Sequence, residues 1–234
     1  MNGKFTFLKM SLVGLFLITA MGVSAQVTPA TPPSAFVCNG QSVQLTGPDG
    51  YTNYQWYFDA NGSATPAVAI GDSGQQVYTA TETGFYYVEV WNSGDGCKSP
   101  ISEPYTIYIL PPLSVSIAAN DGDNAYCTDE SSTGITLTAT ITTPDLVATG
   151  LGVNYQWFIS DDATGTDRQP VSGATSATYN VIQTAADSYF YDVVATYNVT
   201  VAGGAEACEA RSNVQEVIVS PLPPQPTITI VSTP

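Results

Sequence analysis

Four cysteines, Cys38, Cys97, Cys127 and Cys208, offer the most specific chemistry in this 234-residue chain. They can form disulfides, hold a metal or act as reactive thiols, and no Cys-x-x-Cys pair is present to favour a zinc site. Oxygen chemistry is concentrated in Asn120-Asp121-Gly122-Asp123-Asn124 and the following Asp129-Glu130. Asp121, Asp123, Asp129 and Glu130 are candidate calcium ligands, because Ca²⁺ takes six to eight oxygens, although the regular alternation of a calcium loop is missing. Calcium is the sole cofactor expectation. Asp161-Asp162 places two carboxyls side by side, but glycoside hydrolysis needs them facing each other across a cleft. There is no histidine, which excludes Ser-His-Asp and Cys-His nucleophile systems and His-ligated metals. The expectation is a non-catalytic protein.

The aromatic residues divide by their spacing. Trp56 and Trp157 recur in the same motif and are expected in a core, where Tyr86, with Tyr191 as its counterpart, is expected to pin a corner. Trp91 has no counterpart. Together with Tyr51 and Tyr87, it is a candidate for stacking on a glycan or anchoring a protein partner.

Acidic residues outnumber basic ones 20 to 5. Residues 1–25 read as a signal peptide: Lys4 and Lys9, an apolar stretch from Ser11 to Ala20, then Val23-Ser24-Ala25 before cleavage at Gln26. Cleavage removes two cations and no acid, which takes the formal charge two units below the −15 of the whole sequence. Such a surface offers nothing to nucleic acid or anionic lipid. The expected location is extracellular or on the cell surface, with no direct membrane insertion.

These residues must be positioned by strands, because the dominant apolar period is two and turn residues recur every eight to twelve positions. The pattern occurs twice. Tyr54-Gln55-Trp56 recurs as Tyr155-Gln156-Trp157, and Tyr78 as Tyr179. Phe85-Tyr86-Tyr87-Val88 is matched by Phe190-Tyr191-Asp192-Val193. Each copy ends in an alternating strand and a Pro-rich junction, Pro111-Pro112 and then Pro221 to Pro224. The reading is all-β: two tandem immunoglobulin-like sandwiches over 26–111 and 112–221, then residues 222–234 as a linker and first strand of a truncated third repeat or a tail strand. By repeat equivalence the cysteines pair within each copy, Cys38 with Cys97 and Cys127 with Cys208, giving one disulfide per sandwich.

Gly40-Gln-Ser-Val43, Trp56, Gly84 to Val88 and Gly96-Cys97-Lys98-Ser99 resemble the Ig-like or PKD-like repeats of large secreted and cell-surface proteins of Bacteroidota. The absence of Trp-x-Phe-Gly-Asp-Gly favours the Ig-like type. The resemblance implies a stalk, spacer or adhesive role, with further repeats or neighbouring subunits as partners. Two alternatives stay open. One is a glycan- or protein-binding module using Trp91 and the end loops. The other is a fibre subunit that donates its C-terminal strand, Pro226-Thr-Ile-Thr-Ile-Val-Ser-Thr-Pro234, to another chain.

Overall fold

The computed structural model describes residues 33–62, 67–94, 96–120, 122, 124–128, 135–143, 151–200 and 208–228. The described residues form strands and no helix. The signal segment and the candidate calcium ligands Asp121, Asp123, Asp129 and Glu130 lie outside them.

Seven strands make the first module: β1 (Ala35–Val37), β2 (Val43–Thr46), β3 (Asn53–Asp59), β4 (Val68–Ile70), β5 (Val77–Ala80), β6 (Gly84–Trp91) and β7 (Tyr105–Ile109). One sheet runs β1-β7-β6-β3-β4, and β2 pairs with β5 in the other. The second module contains β8 (Val115–Ala119), β9 (Ala125–Cys127), β10 (Thr136–Ile141), β11 (Val153–Ser160), β12 (Gln169–Pro170), β13 (Thr178–Asn180), β14 (Asp187–Tyr197), β15 (Glu209–Arg211) and β16 (Gln215–Ser220). Its sheets are β12-β11-β14-β16-β9 and β13-β10-β8, with β15 also on β14. This is the immunoglobulin-like arrangement twice over, with the Trp-bearing strand beside the Tyr-rich strand.

Pairing is antiparallel except at one place in each module. β1 runs parallel to β7 with Val37 opposite Ile109, and β9 runs parallel to β16 with Tyr126 opposite Val219. Both short strands therefore end where the last strand of their module ends.

The Tyr-Gln-Trp motif is explained by what each side chain touches. Trp56 and Trp157 are 4% and 0% exposed, and their indole N–H groups donate to the carbonyls of Gln75 and Ser176 at 3.0 and 2.8 Å. The intervening glutamine turns to the sheet edge. Gln55 Nε2 donates to the carbonyls of Trp56 and Ile70, and Gln156 Nε2 to those of Trp157 and Val171. Each glutamine thus ties the Trp strand to the edge segment beside it.

Each Trp packs on a tyrosine that packs on another: Trp56, Tyr78 and Tyr86 in the first module, Trp157, Tyr179 and Tyr191 in the second, with ring centroids 5.6 to 6.0 Å apart. Leu45, Val37 and Ile107 complete the first core, and Leu137, Val181, Val193 and Val217 the second. The motif glycine of the first module is steric. A Cβ on Gly84 would meet the Phe58 ring at 2.3 Å and the Asp59 carbonyl at 3.0 Å.

The two copies part at their corners. Tyr86 donates to the Glu82 carbonyl at 2.8 Å, the hydrogen bond of a tyrosine corner. Burial and nearby charge push its hydroxyl up to about 12. Tyr191 occupies the matching register but does not make that bond: its hydroxyl is buried without a hydrogen-bond partner among the described residues. Burial raises its pKa further. Tyr189 makes the four-residue contact instead, donating to the Ala185 carbonyl at 3.2 Å. The corner role expected of Tyr191 is corrected accordingly.

Residues 221–228 follow β16 without forming a strand, and Ile228 is 97% exposed.

The inter-module junction as candidate functional site

The disulfide does not close either sandwich. Cys38 is bonded to Cys208, with Cα atoms 5.1 Å apart and a sequence separation of 170. The pairing expected from repeat equivalence, Cys38 with Cys97 and Cys127 with Cys208, is therefore overturned, and with it the expectation of one disulfide per sandwich. The reason is strand direction. Because β1 is parallel to β7, Cys38 leaves β1 at the end of β7, beside buried Leu110. Cys97 precedes β7, next to the Trp91–Lys98 bridge. The two sit at opposite ends of one sandwich. The same holds for Cys127, opposite Ser220 at the end of β16, and Cys208, just before β15. Each module thus carries one cysteine at each end, and the bond joins one module's lower end to the next module's upper end.

Around the disulfide the junction is apolar. Cys38, Leu110, Leu151, Tyr197 and Cys208 are buried together, with Phe36, Tyr108, Leu113 and Val199 packed against them. Phe36 meets Tyr108 edge-on at 6.0 Å. Tyr197, at the end of β14, donates its hydroxyl to the Pro111 carbonyl at 2.8 Å, which fixes the Pro-rich connection to the second module. Pro111 contributes a rigid backbone with no N–H to satisfy. A covalent bond, an apolar cluster and a hydrogen bond thus converge within a few residues of the hinge.

The other candidates are dispersed. Trp91 is half-buried at the end of β6, and the Lys98 ammonium stands 4.5 Å above its ring. Lys98 also pairs with Glu89 at 2.6 Å, and that hydrogen bond raises its pKa. One face of the indole is thereby occupied from within the module. Tyr51 is 41% exposed, whereas Tyr87 is 9% exposed. Asp162 accepts from the Thr164 N–H at 2.7 Å and from the Thr164 hydroxyl, bonds that hold its carboxyl below the usual range. It organises a turn, and a proton donor would need the opposite shift.

One charged site gave no signal in the repeat. Asp192 is 1% exposed and receives Arg168 Nη1 at 2.6 Å, Arg211 Nε at 3.0 Å and Arg211 Nη2 at 2.9 Å. Arg168 also lies 4.1 Å over the Phe158 ring. The Arg168, Arg211 and Lys98 side chains are all engaged inside their own modules. Chain positions 168, 192 and 211 are far apart, so only their strand partners bring them together.

Beside β2 lies a cavity of about 390 Å³ lined by Gln44, Leu45, Trp56, Tyr86, Ser102 and Tyr105. In the second module the corresponding edge, that of β10, is covered by β8. Asn213 clamps β8 from the other sheet, exchanging hydrogen bonds with both the N–H and the carbonyl of Ile117. Among the described residues no strand covers that edge of β2.

No protein-family model matches the chain, and neither does any curated protein. Solved structures do. Fibronectin(III)-like modules of Clostridium thermocellum CbhA align with a TM-score of 0.37 at 10% identity, covering 91% of this chain and 98% of that one. The amphioxus IgVJ-C2 molecule aligns at 0.33 and 14%, covering 79% and 99%. The FN1-FN3 domains of chicken CNTN1 align at 0.36 and 16%, covering 85% and 68%.

Proposed function

We propose that this chain is a non-catalytic segment of a secreted or cell-surface protein whose Ig-like modules act as a stiff stalk or adhesive spacer. The observation that carries the reading is the junction. A spacer transmits distance only if its modules cannot swing, and two domains joined by a short linker swing unless a substantial interface holds them. Here Cys38–Cys208, the Tyr197–Pro111 hydrogen bond and the cluster around Leu110 and Leu151 oppose that motion. A disulfide at this position also supports an oxidising compartment, in keeping with the signal-like residues 1–25. The resemblance to Bacteroidota surface repeats points the same way.

The test is a distance distribution between fluorophores placed at Ser73 in the first module and Ser172 in the second, both in surface turns. The stalk reading expects one narrow distribution that broadens on reduction of the disulfide. A broad distribution in the oxidised protein overturns it.

A further inference from the structure

The two modules differ by one strand. In the second, β8 lies antiparallel to β10, with Ala119 opposite Leu137 and Ile117 opposite Ala139, and it buries Val115 and Ile117. Among the described residues the matching sheet of the first module holds only β2 and β5. Two strands alone are a marginal sheet, and an open edge is a template for a further strand. Register shows where that strand belongs. Leu45 lies opposite Tyr78 as Leu137 lies opposite Tyr179, so Thr46 and Gly47 stand for Thr138 and Ala139. Gly47 donates to the Gln76 carbonyl on the β5 side, as Ala139 donates to that of Ala177. Backbone groups alternate along an antiparallel strand, so Gln44 and Thr46 turn theirs to the open edge. Thr136, the counterpart of Gln44, accepts across that edge from the Asn120 N–H at 3.0 Å. Beneath it lies the cavity of about 390 Å³ between Leu45, Trp56, Tyr86 and Tyr105. Tyr105, paired with Tyr86 as Gln215 is with Tyr191, is 44% exposed.

The clamp on β8 has a counterpart with one change of chemistry. Ser102 and Ser212 make the same bonds to Val88 and Val193: N–H to carbonyl at 3.0 Å, and hydroxyl oxygen accepting the N–H at 3.0 Å, in both modules. The next residue is Asn213 in the second module and Glu103 in the first. Asn213 accepts from the Ile117 N–H at 2.9 Å and donates to the Ile117 carbonyl at 3.1 Å. An ionised Glu103 is an acceptor only. It can take a strand's N–H on one oxygen, which leaves the other for a cation. In β8 the neighbours of Ile117, Ser116 and Ala118, are exposed. A Lys or Arg at either of those places stands beside position 103, and the acidic surface of the chain favours it further.

We propose that the edge of β2 is an acceptor site for a strand from a partner protein. The strand it fits is an extended segment with an aliphatic residue over the cavity, as Ile117 is placed in the second module, and a Lys or Arg next to it that pairs with Glu103. Backbone pairing with Gln44 and Thr46 supplies affinity, and the cavity and Glu103 supply specificity. The inference goes beyond the stalk reading and does not rest on it, since it uses only the geometry of the first module and its comparison with the second.

The experiment titrates fluorescein-labelled peptides with the chain from Gln26 and reads fluorescence anisotropy. The neutral probe is the β8 sequence Leu113–Ala119; the basic probe is the same sequence carrying Ser116→Lys and Ala118→Lys. The basic probe is expected to bind about tenfold more tightly than the neutral one, because charge-assisted hydrogen bonds are the stronger kind. Glu103→Asn, at an exposed position, restores the clamp of the second module and is expected to reverse that order. The same order in both proteins overturns the part given to Glu103. Methylating the probe's backbone nitrogen at the Ala118 place, which faces Thr46, removes a ladder donor and is expected to weaken binding about tenfold. An undiminished affinity overturns strand pairing. Binding by a chain begun at Pro33 but not by the chain from Gln26 would give the groove to the chain's own residues 26–32, and that outcome overturns the partner. Binding by neither overturns the site.

Discussion

The Cα atoms of Cys38 and Cys208 stand 5.1 Å apart although 170 residues separate them in the chain. The bond therefore encloses most of both modules. Its effect on the unfolded chain is larger than that of a bond within one sandwich, because loop-closure entropy grows with loop length.

Cutting that bond should both destabilise and uncouple the modules. In the chain-entropy model a loop of this size is worth up to about 5 kcal/mol. Cys38→Ser is expected to lower the melting temperature and to split a single calorimetric transition into two, one per module. A Cys38→Ser protein that melts as a single transition at the oxidised protein's temperature would show that the apolar cluster alone couples the modules.

The two Trp residues are expected to differ little in kind. Trp157 is fully buried, and its indole N–H reaches the Ser176 carbonyl; Trp56 is the first module's counterpart. Trp157→Ala should cost about 3–5 kcal/mol through the cavity left against Tyr179, with the Ser176 carbonyl losing its donor as well. Urea unfolding followed by far-UV circular dichroism checks it. A loss below about 1 kcal/mol would mean that the second core does not depend on this side chain.

The architecture was legible in the sequence because its signals are local. Period-two alternation, the repeated Tyr-Gln-Trp and the Pro-rich junctions each report on a few adjacent residues, and the tandem Ig-like sandwiches follow from them. The disulfide was not legible in the same way. Repeat equivalence pairs Cys38 with Cys97 as members of one copy, but it carries no strand direction. Only the parallel pairing of β1 with β7 shows that they lie at opposite ends. The Asp192 site was hidden for a related reason: Tyr87 holds the matching position of the first copy, so the acid has no echo in the repeat. Tyr191 shows the reverse case, in which an equivalent residue keeps its register and loses its hydrogen bond because the corner passes to Tyr189.

Asp192 should tolerate no simple removal. Its carboxylate is buried, and two guanidiniums, themselves only partly exposed, converge on it. Asp192→Ala leaves both cations close together without their anion, and deleting one partner of such a set costs about 3–5 kcal/mol. Because Arg168 and Arg211 can reach water, the lower end of that range is expected. Chemical denaturation of Asp192→Ala against the parent protein measures it. An unchanged midpoint would show that both arginines relax into solvent at no cost.

Tyr86 and Tyr191 provide a matched pair in which one hydroxyl is bonded and the other is not. Tyr86→Phe removes the donor to Glu82 and should cost about 1 kcal/mol, the usual net worth of a hydrogen bond. Tyr191→Phe removes a buried hydroxyl without a partner and should be neutral or stabilising, since that group gave up its water on folding and gained no hydrogen bond in return. Their pH dependence shares one sign. Burial raises both pKa values above the 10.0 of a free tyrosine, Tyr86 to about 12. The folded state holds each proton more tightly than the unfolded state, so their contribution is complete below pH 10 and is lost as pH rises toward 12. Melting temperatures should therefore fall over that window in the parent protein, and less steeply in Tyr191→Phe. Equal slopes in the two proteins would locate the alkaline sensitivity elsewhere in the chain.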